Sequence, residues 1–147
     1  MKDVKLAIPT KGSEGIEDVV SDVFGRAERF TIIEIRNGSI ANVEVVDNSA
    51  ALYKHGAGPI VVKMLADMSV TAVAAREFGI GASTLLDQNN IKKFKVNTGI
   101  PVREAVETVL KKQKFAYDPN RELRPLFLRV LQQEFEYIDF MNEKSSF

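Results

Sequence analysis

Phe30-Thr31-Ile32-Ile33-Glu34-Ile35-Arg36, the dipeptide Asn37-Gly38, and Ile40-Ala41-Asn42-Val43-Glu44-Val45-Val46-Asp47 form the stretch on which the fold turns. The first arm is β-branched and aromatic, and the second alternates apolar with polar residues; both patterns suit pleated strands. Asn-Gly between them fits the two left-handed residues of a type I′ turn, so the stretch reads as an antiparallel hairpin. Working outward, Val4-Lys5-Leu6-Ala7-Ile8-Pro9 reads as a buried first strand. A polar loop, Thr10 to Gly15, follows it. From Ile16 to Phe24 the chain is acidic and apolar by turns, which predicts a short helix closed by Gly25.

Beyond the hairpin, Asn48 to Tyr53 leads into Tyr53-Lys54-His55-Gly56-Ala57-Gly58-Pro59. Ile60, Val61, Met64, Leu65 and Met68 then recur at helical spacing, predicting a helix over Gly58–Met68. Thr71 to Ala75 is a short apolar run of the kind buried on both faces of a sheet. A Gly-rich turn, Arg76 to Ser83, opens a helix reaching Asn90, and Ile91 to Val96 reads as the next strand. Asn97-Thr98-Gly99-Ile100-Pro101 is a third such turn, with Pro101 at the first position of a helix. That helix presents Val102, Val106, Val109 and Leu110 on one side.

Strand-helix-strand units impose parallel pairing with right-handed crossovers, and the hairpin adds one antiparallel strand. The expected architecture is therefore α/β: a three-layer α/β/α, ribonuclease-H-like arrangement around a mixed five-stranded sheet. It occupies residues 1–114. Residues 115–147 read as an aromatic-rich helical extension, for Phe115, Tyr117, Phe127, Phe135, Tyr137, Phe140 and Phe147 all lie there. So many aromatic residues predict packing rather than disorder, against the domain itself or in a homodimer. The polar face of this segment carries Glu134, Glu136, Asp139 and Glu143, which argues against a membrane surface.

Lys+Arg and Asp+Glu balance at 20 each, so no basic excess marks a nucleic-acid partner. The chain has no cysteine and no apolar run of membrane-spanning length, which leads to the expectation of a soluble, cytoplasmic protein. Nuclease chemistry needs clustered carboxylates around divalent metal, and the first strand offers none. Ser49 or Ser83 could be imagined beside His55, but no G-x-S-x-G elbow exists. One histidine without cysteine cannot build the usual closed zinc site. A Walker A motif is absent, and Gly79-Ile80-Gly81-Ala82-Ser83-Thr84 ends in threonine where G-x-G-x-x-G needs glycine. The expectation is a binding protein, not an enzyme.

His55, the only histidine, precedes two glycines at a helix start. Helix amino ends expose unpaired N–H groups and attract anions. Three further loops, Thr10-Lys11-Gly12, Gly79-Ile80-Gly81 and Asn97-Thr98-Gly99, are expected at the same sheet edge, outside the carboxyl ends of the strands. A neutral imidazole there suits an anionic metal-containing ligand, and equally a phosphate or carboxylate. The alternative is a Gly-rich loop with an incidental surface histidine.

Ser21-Asp22-Val23-Phe24-Gly25-Arg26-Ala27-Glu28-Arg29-Phe30 matches S-x-x-F-G-R-A-x-x-F. With His55-Gly56-Ala57-Gly58, Gly79-x-Gly81-Ala82 and Val102-Arg103-Glu104-Ala105, it resembles the dinitrogenase iron-molybdenum cofactor biosynthesis family over residues 4 to 112. The resemblance implies a nitrogenase accessory factor-like domain without nuclease activity. Its function would be to bind or carry an iron–sulfur or iron–molybdenum cluster precursor, with metallocluster assembly proteins as partners. Carried over, His55 is the candidate metal ligand, Gly56, Gly58 and Gly25 shape the cleft, and Arg26 contacts the anion, or instead fixes the Phe24–Phe30 turn at the surface. Gly79 and Gly81 belong to the same set. Arg76, Ile80 and Ile100-Pro101 depart from the family pattern, Arg76 as added charge or filling in the crevice. A competing reading is a dimeric interaction module whose crevice takes a phosphate-bearing small molecule or no ligand.

Overall fold

A computed structural model of the chain describes residues 3–53 and 56–114. Strand β1 (Val4–Thr10) runs through the middle of a five-stranded sheet. Strand β2 (Arg29–Arg36) pairs with it antiparallel, from Val4 opposite Ile35 to Thr10 opposite Arg29. Strand β3 (Ser39–Asp47) returns beside β2. Asn37 (φ 54°) and Gly38 (φ 80°) both occupy the left-handed region, as the tight hairpin turn requires.

On the other side of β1 lie β4 (Ala72–Ala75) and then β5 (Lys92–Lys95), both parallel, giving the order β3-β2-β1-β4-β5. Helix α1 (Ala57–Asp67) links the hairpin to β4, α2 (Ile80–Gln88) links β4 to β5, and α3 (Val102–Lys114) follows β5. This is the ribonuclease-H-like mixed sheet that the sequence predicts.

Alternation along the strands sorts the side chains into two cores. Leu6, Ile8, Ile33 and Ile35 cluster with Val102, Ala105, Val106 and Val109 of α3. Ala7, Phe30, Ile32 and Val73 cluster with Val61, Val62 and Leu65 of α1 and Leu86 of α2. Covering both faces explains why β1 and β4 read as nearly unbroken apolar runs.

The predicted helix over Ile16–Phe24 is not formed. One 3-10 turn, Gly15–Glu17, is followed by extended chain. Val20 bridges Thr10, Val19 bridges Pro101, and the Val20 N–H donates to the Ile100 carbonyl at 2.9 Å. The Asp18 carboxylate accepts the Val19 N–H at 2.8 Å, offering the backbone an alternative to a helical bond. Val20 and Phe24, which would share one helix face, sit in the two different cores, so the segment crosses from one face of the sheet to the other.

Pro101 stands one residue earlier in its helix than expected. Its carbonyl accepts the Glu104 and Ala105 N–H groups at 3.0 and 3.1 Å, while α3 itself starts at Val102. The extension 115–147 and the dimer contact expected of it lie outside the described residues. Among the described residues, no helix is long and apolar enough to cross a membrane.

Candidate functional site: a glycine-walled cleft

Three segments meet around a cleft of about 470 Å³: the loop Asp22–Arg26, the start of α1 from Gly56 to Pro59, and the turn from Glu77 into α2. Phe24 lines it, meeting Phe30 edge to face at 5.4 Å and Phe78 at 5.3 Å. The walls come together at glycine. A Cβ on Gly25 would lie 3.5 Å from the Gly58 nitrogen, and one on Gly58 would lie 3.4 Å from the Ala82 Cβ.

Two helix amino ends open here. Gly56 (φ 75°, ψ 14°) precedes α1 and Gly79 (φ 75°, ψ 155°) precedes α2, and among the described residues neither helix has a side-chain cap. Gly79 occupies a backbone region that is essentially glycine's alone. First-turn N–H groups have no partner within their own helix, and the aligned peptide dipoles add positive potential at that end. Both effects favour an anion. The charged side chains along the cleft, Arg26, Asp22 and Glu77, are all exposed. Among the described residues one cation stands against two carboxylates, so their side chains form no cationic cradle and the pull they exert on an anion comes from the amides.

Gly25, Arg26, Gly56, Gly58, Gly79 and Gly81, the candidates from the sequence, all line this cleft. His55 lies outside the described residues, directly before Gly56. Two of the four loops expected around the site are not part of the lining. The Lys11 carbonyl accepts the Arg29 guanidinium at 2.6 Å, and Thr10 is bridged to Val20. The Asn97–Gly99 loop is held to Val20, and the amino end of α3 is taken up by the Asp18 carbonyl, which accepts the Val102 N–H at 2.8 Å. Arg76 likewise adds nothing to the cleft; it lines a separate depression of about 310 Å³ with Lys95, Asn97 and Glu104. Sequence reading missed Phe78 and the two carboxylates. Phe78 was legible as an apolar residue directly before Gly79; Asp22 and Glu77 carry no signal that separates them from surface charge.

Among the described residues, no three His, Cys, Asp or Glu side chains group to hold a metal ion. The chain also lacks cysteine. The described residues of the cleft therefore offer no thiolate or carboxylate coordination shell, and what they present to a ligand is shape and backbone amides.

The strand order, the helices on both faces and the cleft at two helix starts define a ribonuclease-H-like α/β/α domain. Residues 4–112 match the profile described as dinitrogenase iron-molybdenum cofactor, and the chain belongs to that family. It is 35% identical over 98 residues to an uncharacterized protein of Methanocaldococcus jannaschii, spanning 67% of this chain and 79% of that one. Among solved structures it resembles the apo form of the orange protein from Desulfovibrio gigas, at 29% identity and a TM-score of 0.66, covering 74% of this chain and 88% of that one. A Thermotoga protein described as a NifB candidate matches at 34% identity and a TM-score of 0.61, with the same coverage of each chain.

Proposed function

We propose that this protein binds and carries an anionic iron–sulfur or iron–molybdenum cluster precursor for metallocluster assembly proteins, without catalysing a reaction. The observation that supports it most is the opening of two uncapped helix amino ends, at Gly56 and Gly79, onto one glycine-walled cleft. Family membership supports this class of cargo. The glycines let backbone N–H groups approach a bulky inorganic anion without intervening side chains. Phe24 and Phe78 give the lining apolar surface, and a less polar surrounding strengthens such hydrogen bonds. His55, next to Gly56 in sequence, would supply one nitrogen ligand to a metal of the cargo. A single such bond and the two carboxylates at the mouth suit loose retention and handover, not permanent residence.

Anaerobic reconstitution of the full chain with ferrous iron and sulfide, followed by desalting and visible absorbance, tests this. Retained chromophore in the wild type and clear loss in His55→Ala are the expected results. No uptake by the wild type would remove the carrier role, and equal uptake by His55→Ala would remove the histidine from it.

A further inference from the structure

The cleft is bounded largely by loop, so its width depends on what ties those loops together. Asn48 follows directly after β3, is 6% exposed, and does not line the cleft. Its amide nitrogen donates to the Gly25 carbonyl at 3.0 Å and to the Ala27 carbonyl at 2.8 Å. Its amide oxygen accepts the Ala50 N–H at 2.9 Å, and its backbone N–H donates to the Glu28 carbonyl at 3.0 Å. Both side-chain donors and the acceptor are thereby engaged. From the same residue the chain enters successive turns, Ala51 N–H to the Asn48 carbonyl and Tyr53 N–H to the Ala50 carbonyl, each at 3.1 Å, on its way toward Gly56. One buried side chain thus fastens the Gly25–Arg26 wall to the segment that delivers α1.

We infer that Asn48 is a positioning residue that sets the cleft's width, holding Gly25 against Gly58 so that the walls stay spaced for cargo. The inference rests on the cleft being the ligand seat, but the clamp itself does not depend on which ligand is bound. Asparagine is needed because the site asks for two donors and an acceptor on one short side chain. Aspartate has the same shape, keeps the bond from Ala50, and turns an anionic oxygen toward two carbonyl oxygens. Both burial and those carbonyl dipoles disfavour the charged form, raising the carboxyl's pKa, and a protonated carboxyl donates one bond again. Asn48→Asp therefore opens the wall at neutral pH and restores it in part as pH falls, a signature that lost volume alone does not produce.

The experiment uses the ¹⁵N-labelled full chain, with amide spectra of wild type, Asn48→Asp and Asn48→Ala from about pH 7 to about pH 4. The Gly25, Ala27 and Gly58 signals should move in both variants at the upper pH, and return toward wild type on acidification only in Asn48→Asp. Ala105 in α3 should stay in place. Iron-and-sulfide uptake at the upper pH should be roughly tenfold weaker in either variant, as removal of a buried hydrogen-bonding partner implies. Unmoved Gly25 and Gly58 signals, or equal movement at Ala105, would overturn the assignment. Should Asn48→Asp fail to fold, Asn48→Ala decides by the same amide signals and the same uptake. If the wild type takes up no cluster, the carrier reading falls while the amide signals still decide the clamp.

Discussion

Gly79 and Gly81 stand two residues apart at the start of α2, and alanine at the two positions should act with opposite sign. Neither added Cβ meets another atom within 4 Å, so steric clash is excluded in both cases. Gly79 has φ 75° and ψ 155°. A side chain there carries backbone strain of about 1–3 kcal/mol, with nothing gained in packing. Gly81 lies inside α2 without a positive φ. Alanine at that position restricts the unfolded chain and favours the helix, worth about 0.4–1 kcal/mol of added stability. The predicted gap between the two variants is therefore roughly 1.5–4 kcal/mol, the sum of the two effects. Urea denaturation followed by far-UV circular dichroism measures it, read from midpoints at unchanged slope. Equal destabilisation by both, or a neutral Gly79→Ala, would refute the claim that backbone conformation fixes the amino end of α2.

The Thr10 and Thr31 hydroxyls, both fully buried, pair at 3.1 Å; either single valine variant should lose about 1–3 kcal/mol. The double variant should recover much of that loss, a coupling that a double-mutant cycle in urea would detect. Phe24→Ala removes a 3%-exposed ring that meets two others edge to face, and should cost about 3–5 kcal/mol by thermal denaturation. Val20→Asn puts an amide into the α3-side core where a 1%-exposed valine now packs. It should cost about 2–4 kcal/mol, whereas Val19→Asn, at a 45%-exposed position, should stay within about 0.5 kcal/mol.

The hairpin and the alternating helices and strands were legible because each is locally encoded. Asn37-Gly38 specifies its turn, and the apolar spacing of α1 and α3 specifies their buried faces. The Ile16–Phe24 segment was misread for the opposite reason. Ile16, Val19, Val20, Val23 and Phe24 fall at helical spacing, yet Val19 and Val23 are 45% and 48% exposed. The bonds that hold the chain extended come from Pro9, Thr10 and Ile100, partners that no local window contains. That same crossing delivers Phe24, Gly25 and Arg26 to the cleft. Gly56, Gly58, Gly79 and Gly81 are legible as helix-start turns, whereas Gly25 reads as the end of a helix that does not form. Which turns share a cleft was not, since that depends on α1 and α2 lying on one face of the sheet and α3 on the other.

The central claim is that cargo sits between the amino ends of α1 and α2. Loading the ¹⁵N-labelled chain anaerobically with iron and sulfide, and comparing amide spectra before and after, tests it most directly. Broadening confined to Gly25, Gly58, Gly81 and their immediate neighbours, with Asn97, Glu104 and Thr108 left sharp, is the predicted result. Broadening centred on the Arg76–Glu104 depression, or spread evenly over the domain, would contradict it.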